Sequence, residues 1–138
     1  MSKVSFDVEP RASALAPFRK RLRPLIESAG FDSKSTHDIL LSVNEVLTNI
    51  IRHGQSEKIQ VLFSNLKDHV EILIEDGSPC FDPRTLPAPE LPPRKPGGLG
   101  IHLVRSLADE IHYEALKPQG NRLRLVKYKN GKERNRKP

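Results

Sequence analysis

The stretch Ser33-Lys-Ser-Thr-His-Asp-Ile39-Leu40-Leu-Ser-Val43-Asn44-Glu45-Val46-Leu47-Thr48-Asn49-Ile50-Ile51-Arg52-His53 decides the fold. Ile39, Leu40, Val43, Leu47, Ile50 and Ile51 recur at helical spacing and predict an amphipathic helix from about Ser33 to Arg52. Phe31-Asp32-Ser33 supplies a capping loop before it, and Gly54 ends it. Beside the apolar stripe runs a polar series at i, i+4 and i+8: Glu45, Asn49 and His53. At about 100° per residue these three fall within roughly 80° of helix surface. They share one face, next to the core rather than opposite it. A carboxylate there can take a proton from an attacking hydroxyl. An Asn carbonyl one turn on can ligate Mg²⁺, a hard ion that prefers oxygen.

Working outward toward the N-terminus, Val4, Phe6 and Val8 alternate and predict a short strand over 3–9. Leu15, Phe18, Leu22, Leu25, Ile26 and Ala29 then mark a first helix, closed by Gly30. Pro17 and Pro24 predict a kink in it or a later start. Toward the C-terminus come two strands, Lys58 to Asn65 and His69 to Glu75, with Lys67-Asp68 as a hairpin turn. Residues 77–98 hold seven of the twelve prolines, a long loop of the kind that is functional or disordered. A third helix is expected from Gly100 to Ala108. Two last strands follow, Ile111 to Leu116 and Asn121 to Tyr128, joined by Lys117-Pro118-Gln119-Gly120. This order predicts one α+β domain, a two-layer sandwich whose mostly antiparallel, mixed sheet is covered by helices on one face.

Composition narrows the function. The 138 residues suit one domain, assigned here to 1–128. No run of 18 apolar residues and no leader-like N-terminus is present, so a cytoplasmic protein without membrane contact is expected. The single cysteine, Cys80, excludes an internal disulfide and a thiolate zinc site. The net charge of +6 is concentrated at one end: Lys127–Pro138 carries six basic residues against Glu133. Residues 129–138 read as a basic disordered tail. No Trp and only two Tyr leave few platforms for stacking bases, which argues against nucleic acid as a partner.

Two further segments carry chemistry. Asp76 ends the apolar strand Val70–Glu75, a position from which a carboxylate can accept from an exocyclic amine such as that of adenine. Gly97-Gly98-Leu99-Gly100-Ile101 opens the third helix, and glycines there let backbone N–H groups approach phosphates. No Gly-Lys-Ser/Thr follows, so this is not a Walker loop. Each piece has a plainer reading when taken alone: a polar trio on a solvated helix, an Asp-Gly turn, a hinge.

The order of the three pieces is more specific. Asn44 through His53, then Asp76 with Phe81-Asp82-Pro83, then Gly97 through Val104, resemble the histidine-kinase-like ATPases of the Bergerat fold, and within them the anti-sigma-factor serine/threonine kinases. Asp109 through Tyr113 and Asn121-Arg122-Leu123 are similar to that branch too, and the resemblance spans about residues 5 to 128. It implies ATP and Mg²⁺ as cofactors. Glu45 would be the general base, Asn49 the Mg²⁺ ligand and Asp76 the adenine-binding aspartate. His53, Phe81, Leu99 and Ile101 would belong to the nucleotide-binding motifs, with Gly97, Gly98 and Gly100 at the phosphates. Residues 83–97 would form the ATP lid, from which Lys95, or Arg94, would meet the γ-phosphate. The implied partners are a small anti-sigma-factor antagonist, phosphorylated on Ser or Thr, and a sigma factor or similar regulator. A homodimer fits the same resemblance, and a nucleotide-gated binding module without kinase activity is its alternative. The chain departs from the family at one point. The usual Asp-x-Gly is here Asp76-Gly77-Ser78, and Cys80 replaces a usual Gly or Pro. The change falls on the adenine pocket and bears on nucleotide affinity.

Overall fold

The computed structural model describes residues 2–53, 56–80 and 107–129. Five strands form one sheet: β1 (Ser2–Val8), β2 (Ile59–Asn65), β3 (His69–Asp76), β4 (Glu110–Ala115) and β5 (Asn121–Tyr128). Their order is β1-β2-β3-β5-β4, and all four pairings are antiparallel. The last described strand in sequence, β5, is therefore an interior one. Two helices, α1 (Leu15–Ser28) and α2 (Ser33–His53), are described. The third expected helix falls almost wholly outside the described residues, as do Phe81, the lid at 83–97, the Gly97–Ile101 segment and the tail beyond Lys129.

Strand alternation builds the core. In β3, Val70, Ile72, Ile74 and Asp76 are buried, while His69, Glu71, Leu73 and Glu75 face the other way and are half-buried. The buried row joins Phe6, Val61, Phe63, Leu123 and Leu125 from the other strands, and meets Leu22 and Ile26 of α1 and Val43 and Leu47 of α2. Alternation of period two on the sheet against a stripe of period 3.6 on the helices gives the two-layer sandwich. The face turned away from the helices carries charge, with Arg122 pairing Glu75 at 2.5 Å and Glu114 at 3.0 Å, and Arg124 pairing Glu71 at 2.6 Å.

The helices begin and end for local reasons. A 3₁₀ turn, Ala12–Ala14, leads into α1. Pro17 thus sits in the first turn of α1, where the missing N–H has no partner to lose, and the helix starts no later than Leu15. It also continues through Pro24. Gly30 closes it at φ 103°, a conformation glycine adopts without penalty. Phe6 packs edge-on against Phe18 at 5.2 Å, and Arg21 lies over the Phe6 ring. Asp32 caps α2: its Oδ1 accepts from Ser35 N at 2.7 Å and its carbonyl from Thr36 N at 2.9 Å. The stripe on α2 is wider than expected, because Val46 is buried while Ile50 and Ile51 are only partly covered. No helix among the described residues is long and apolar enough to cross a membrane.

Candidate functional site

Glu45 and Asn49 lie one turn apart on α2, both half-buried, flanking the buried pair Val46 and Leu47. The periodicity that sinks Val43 and Leu47 into the core holds these two polar side chains at its margin. Neither is hydrogen-bonded or ion-paired with another side chain among the described residues. Their neighbour Asn44 is held from α1, where Arg19 Nη1 donates to its Oδ1 at 2.5 Å. His53 lies in the last turn of α2.

Asp76 stands at the end of β3 on the helix-covered face, in phase with Val70, Ile72 and Ile74, and is 7% exposed. No cation among the described residues pairs with it. Its Oδ2 accepts from Ser78 N at 2.9 Å, closing a tight turn in which the side chain replaces a backbone carbonyl. Hydrogen bonds from both sides hold this turn. From the α2–β2 connection, Ser56 Oγ accepts from Gly77 N at 2.9 Å and donates to Lys58 O at 2.5 Å. From the β4–β5 connection, Gln119 Nε2 donates to Gly77 O at 2.5 Å, and from the first residue of β5, Asn121 Nδ2 donates to Ser78 O at 3.3 Å and Pro79 O at 3.2 Å. Tyr113 OH, donating to Asn121 Oδ1 at 2.6 Å, fixes which way that carboxamide faces. Cys80 Sγ reaches Gly120 O at 3.3 Å.

Gly120 explains how the second connection comes so close. Its φ is 128°, and a Cβ there would lie 2.8 Å from Asp76 O. Backbone packs on backbone at the point where the carboxylate is presented. Gly77, although it belongs to the motif, has no such need: a Cβ would meet only Ser56 Oγ, at 3.8 Å. The sequence pattern had pointed to Glu45, Asn49 and Asp76. It had not shown that Ser56, Gln119 and Gly120 fix the turn, and the Gly after a Pro-Gln pair was its only local trace.

The register brings the expected pieces to one end of the sandwich. Ile59, first in β2, pairs with Asp76, and Ser56 just before it touches Gly77. The C-terminal end of α2, bearing Asn49, therefore leads directly to the Asp76 turn. Of the remaining expected site residues, Phe81, Lys95, Gly97, Gly98, Leu99, Gly100 and Ile101 lie outside the described residues. The Ser78 hydroxyl of the turn is buried with no hydrogen-bond partner among the described residues. Such a group costs on the order of 1–3 kcal/mol.

Half-buried Glu45 and Asn49 on α2 and buried Asp76 at the end of β3 are the described side chains of the expected site. The sequence profile of the histidine kinase-like ATPase domain matches residues 8–127. The chain belongs to this family. Within the histidine kinase-like ATPases its relatives are serine-protein kinases named RsbW. One from Staphylococcus aureus (strain MRSA252) is 31% identical over 92% of this chain and 89% of its own length. One from Bacillus cereus (strain AH187) is 25% identical over 91% and 84%. This is the anti-sigma-factor kinase branch of the family. Among solved structures, that of the RsbU and RsbW domains of a Mycobacterium tuberculosis protein superposes with a TM-score of 0.67 at 17% identity. The match covers 91% of this chain and 31% of the mycobacterial one, and it shows the shared fold.

Proposed function

We propose that the chain is an ATP-dependent serine/threonine protein kinase and anti-sigma factor. It would phosphorylate a small antagonist protein and so control which partner, antagonist or sigma factor, is held. The observation that carries this reading is that Glu45 and Asn49 stand uncommitted on α2, with the Asp76 turn at the same end of the sheet. The serine-protein kinase names of its relatives support the activity.

The roles follow from chemistry. The Asp76 carboxylate, acceptor-only when ionised, suits the exocyclic amine of adenine. No group of three or more His, Cys, Asp or Glu side chains that could hold a metal occurs among the described residues. The Asn49 carboxamide oxygen is the group that would hold Mg²⁺, in company with phosphate oxygens, an arrangement this ion favours. Bound Mg²⁺ would neutralise the charge that develops in phosphoryl transfer, where positioning and electrostatics supply most of the catalysis. Glu45 would accept the proton of the substrate hydroxyl.

The test separates binding from chemistry. Melting temperature is recorded with ATP, ADP and AMP, with and without Mg²⁺, for wild type and Asn49→Ala. A ligand at a hundred times its Kd stabilises by about 2.7 kcal/mol, a shift of roughly 5 °C. That shift should depend on Mg²⁺ and vanish in Asn49→Ala. Labelled phosphate should then pass from ATP to the antagonist with wild type, and not with Glu45→Ala, which still binds ATP. Ser78 in place of the family's glycine favours one second reading, a nucleotide-gated binding module. On that reading ATP shifts the melting temperature and no phosphate is transferred.

A further inference from the structure

The unpartnered hydroxyl of Ser78 has no work in the fold. The residue is 9% exposed, and its oxygen has no hydrogen-bond partner among the described residues. Its own backbone is fully engaged, N–H to Asp76 Oδ2 and C=O from Asn121 Nδ2. The residue is thus fixed in place with one group left over. A glycine would adopt the same hydrogen bonds without burying that group. Most buried polar groups in native proteins are paired, so an unpaired one beside a ligand site points to the ligand.

The chemistry of the turn says which part of the ligand. Asp76 can only accept, and it suits an amine. In adenine that amine, N6, is flanked by two ring nitrogens, N1 and N7, which can only accept. A carboxylate cannot serve them, and a donor is needed beside it. The neighbouring side-chain donors are engaged: Ser56 Oγ with Lys58 O, Gln119 Nε2 with Gly77 O, Asn121 Nδ2 with two carbonyls, Cys80 Sγ with Gly120 O. Within this turn, Ser78 Oγ is the donor left over.

We propose that Ser78 donates its hydroxyl hydrogen to a ring nitrogen flanking the adenine amine, N1 or N7. Asp76 and Ser78 then read adenine as a pair. Guanine is refused, because its O6 accepts where N6 donates and would face the carboxylate. A site whose buried groups are left unpaired by the wrong ligand rejects it strongly. The proposal rests on the nucleotide-binding reading above.

Calorimetric titration and thermal melting with Mg²⁺ test it, using ATP, GTP, 1-deaza-ATP and 7-deaza-ATP on wild type and Ser78→Ala. Wild type should bind one of the two deaza analogues about tenfold more weakly than ATP, the worth of one neutral hydrogen bond. Ser78→Ala should bind ATP about tenfold more weakly and no longer distinguish it from that analogue. Without ligand it should melt no lower than wild type, because the variant removes an unsatisfied group. Wild type that treats both deaza analogues as ATP overturns the proposal, as does Ser78→Ala with unchanged ATP affinity. Either result leaves the nucleotide site standing. Wild type that binds no nucleotide at all overturns both.

Discussion

Glu75 and Asp76 are adjacent carboxylates on β3, and the pleat sends them to opposite faces. Glu75, half-buried on the face away from the helices, meets Arg122 at 2.5 Å, and Arg122 also meets Glu114. Those two acids hold the Arg122 guanidinium above its ordinary pKa, Glu75 through a hydrogen bond first of all. Asp76, buried under the helices, has a backbone N–H and no cation among the described residues. The difference teaches that position on the pleat, more than residue type, separates an acid that serves the sheet from one left without a cation among the described residues. A carboxylate already neutralised by arginine has little left to offer.

The largest effect expected from breaking this contrast is at Asp76 itself. Asp76→Asn removes the charge and keeps the shape, so ATP affinity should fall by about 10- to 100-fold, as for a lost charge-assisted hydrogen bond. The melting temperature without nucleotide should barely move. Next is Gly120→Ala. A Cβ at 2.8 Å from Asp76 O, in a φ that L residues avoid, should cost about 1–3 kcal/mol, seen as a drop of several degrees in melting temperature. Gly77→Ala is its control, and near-wild-type melting is expected there because the new methyl meets only ordinary contact. Smaller again is Arg122→Ala. Its ion pairs are partly solvated, so it should lower the melting temperature slightly at low salt and not at high salt, with the ATP shift intact. If Arg122→Ala abolished ATP binding, the contrast between the two faces would be lost.

The smallest effect is in the acid range. Asp32 is held below the usual carboxylate pKa by the Ser35 backbone N–H, and Asp68 by its hydrogen bond from His69. A depressed folded pKa means stability that is present above the unfolded value, about 3.9, and lost as pH falls through the folded value. Wild type should therefore lose more melting temperature between about pH 5 and pH 2 than Asp32→Ala does. Asp32→Ala should not differ from wild type in nucleotide affinity at neutral pH.

Much of the fold was legible because its signals are local. The 3.6-residue stripe of α2 and the alternation of β3 are properties of consecutive residues, and β5 begins and ends where its pattern does. Glu45, Asn49 and Asp76 were singled out as site candidates in the same way, from their order along the chain. The insertion of β5 between β3 and β4 was not, since it depends on pairing across the whole sheet. Nor was the clamp on the Asp76 turn: Gln119 and Gly77 are 42 positions apart. Ser78 could be seen to depart from the family pattern. That its hydroxyl is buried and unpartnered follows from packing alone. Pro17, which suggested a kink or a late start, proved harmless because a 3₁₀ turn places it in the first helical turn.

The interior place of β5 bears on how the molecule is made. A ribosome delivers the chain N-terminal part first, so β1, α1, α2, β2 and β3 emerge while the middle of the sheet is still missing its neighbour. Gln119, Gly120 and Asn121 arrive with that last strand, and until they do nothing holds the Asp76 turn from the β4 side. The nascent chain carries every residue of the α2 pair and yet has no finished Asp76 turn. The clamped Asp76 turn is thus a late product of synthesis, and trimming within β5 would release it without touching Glu45, Asn49 or Asp76.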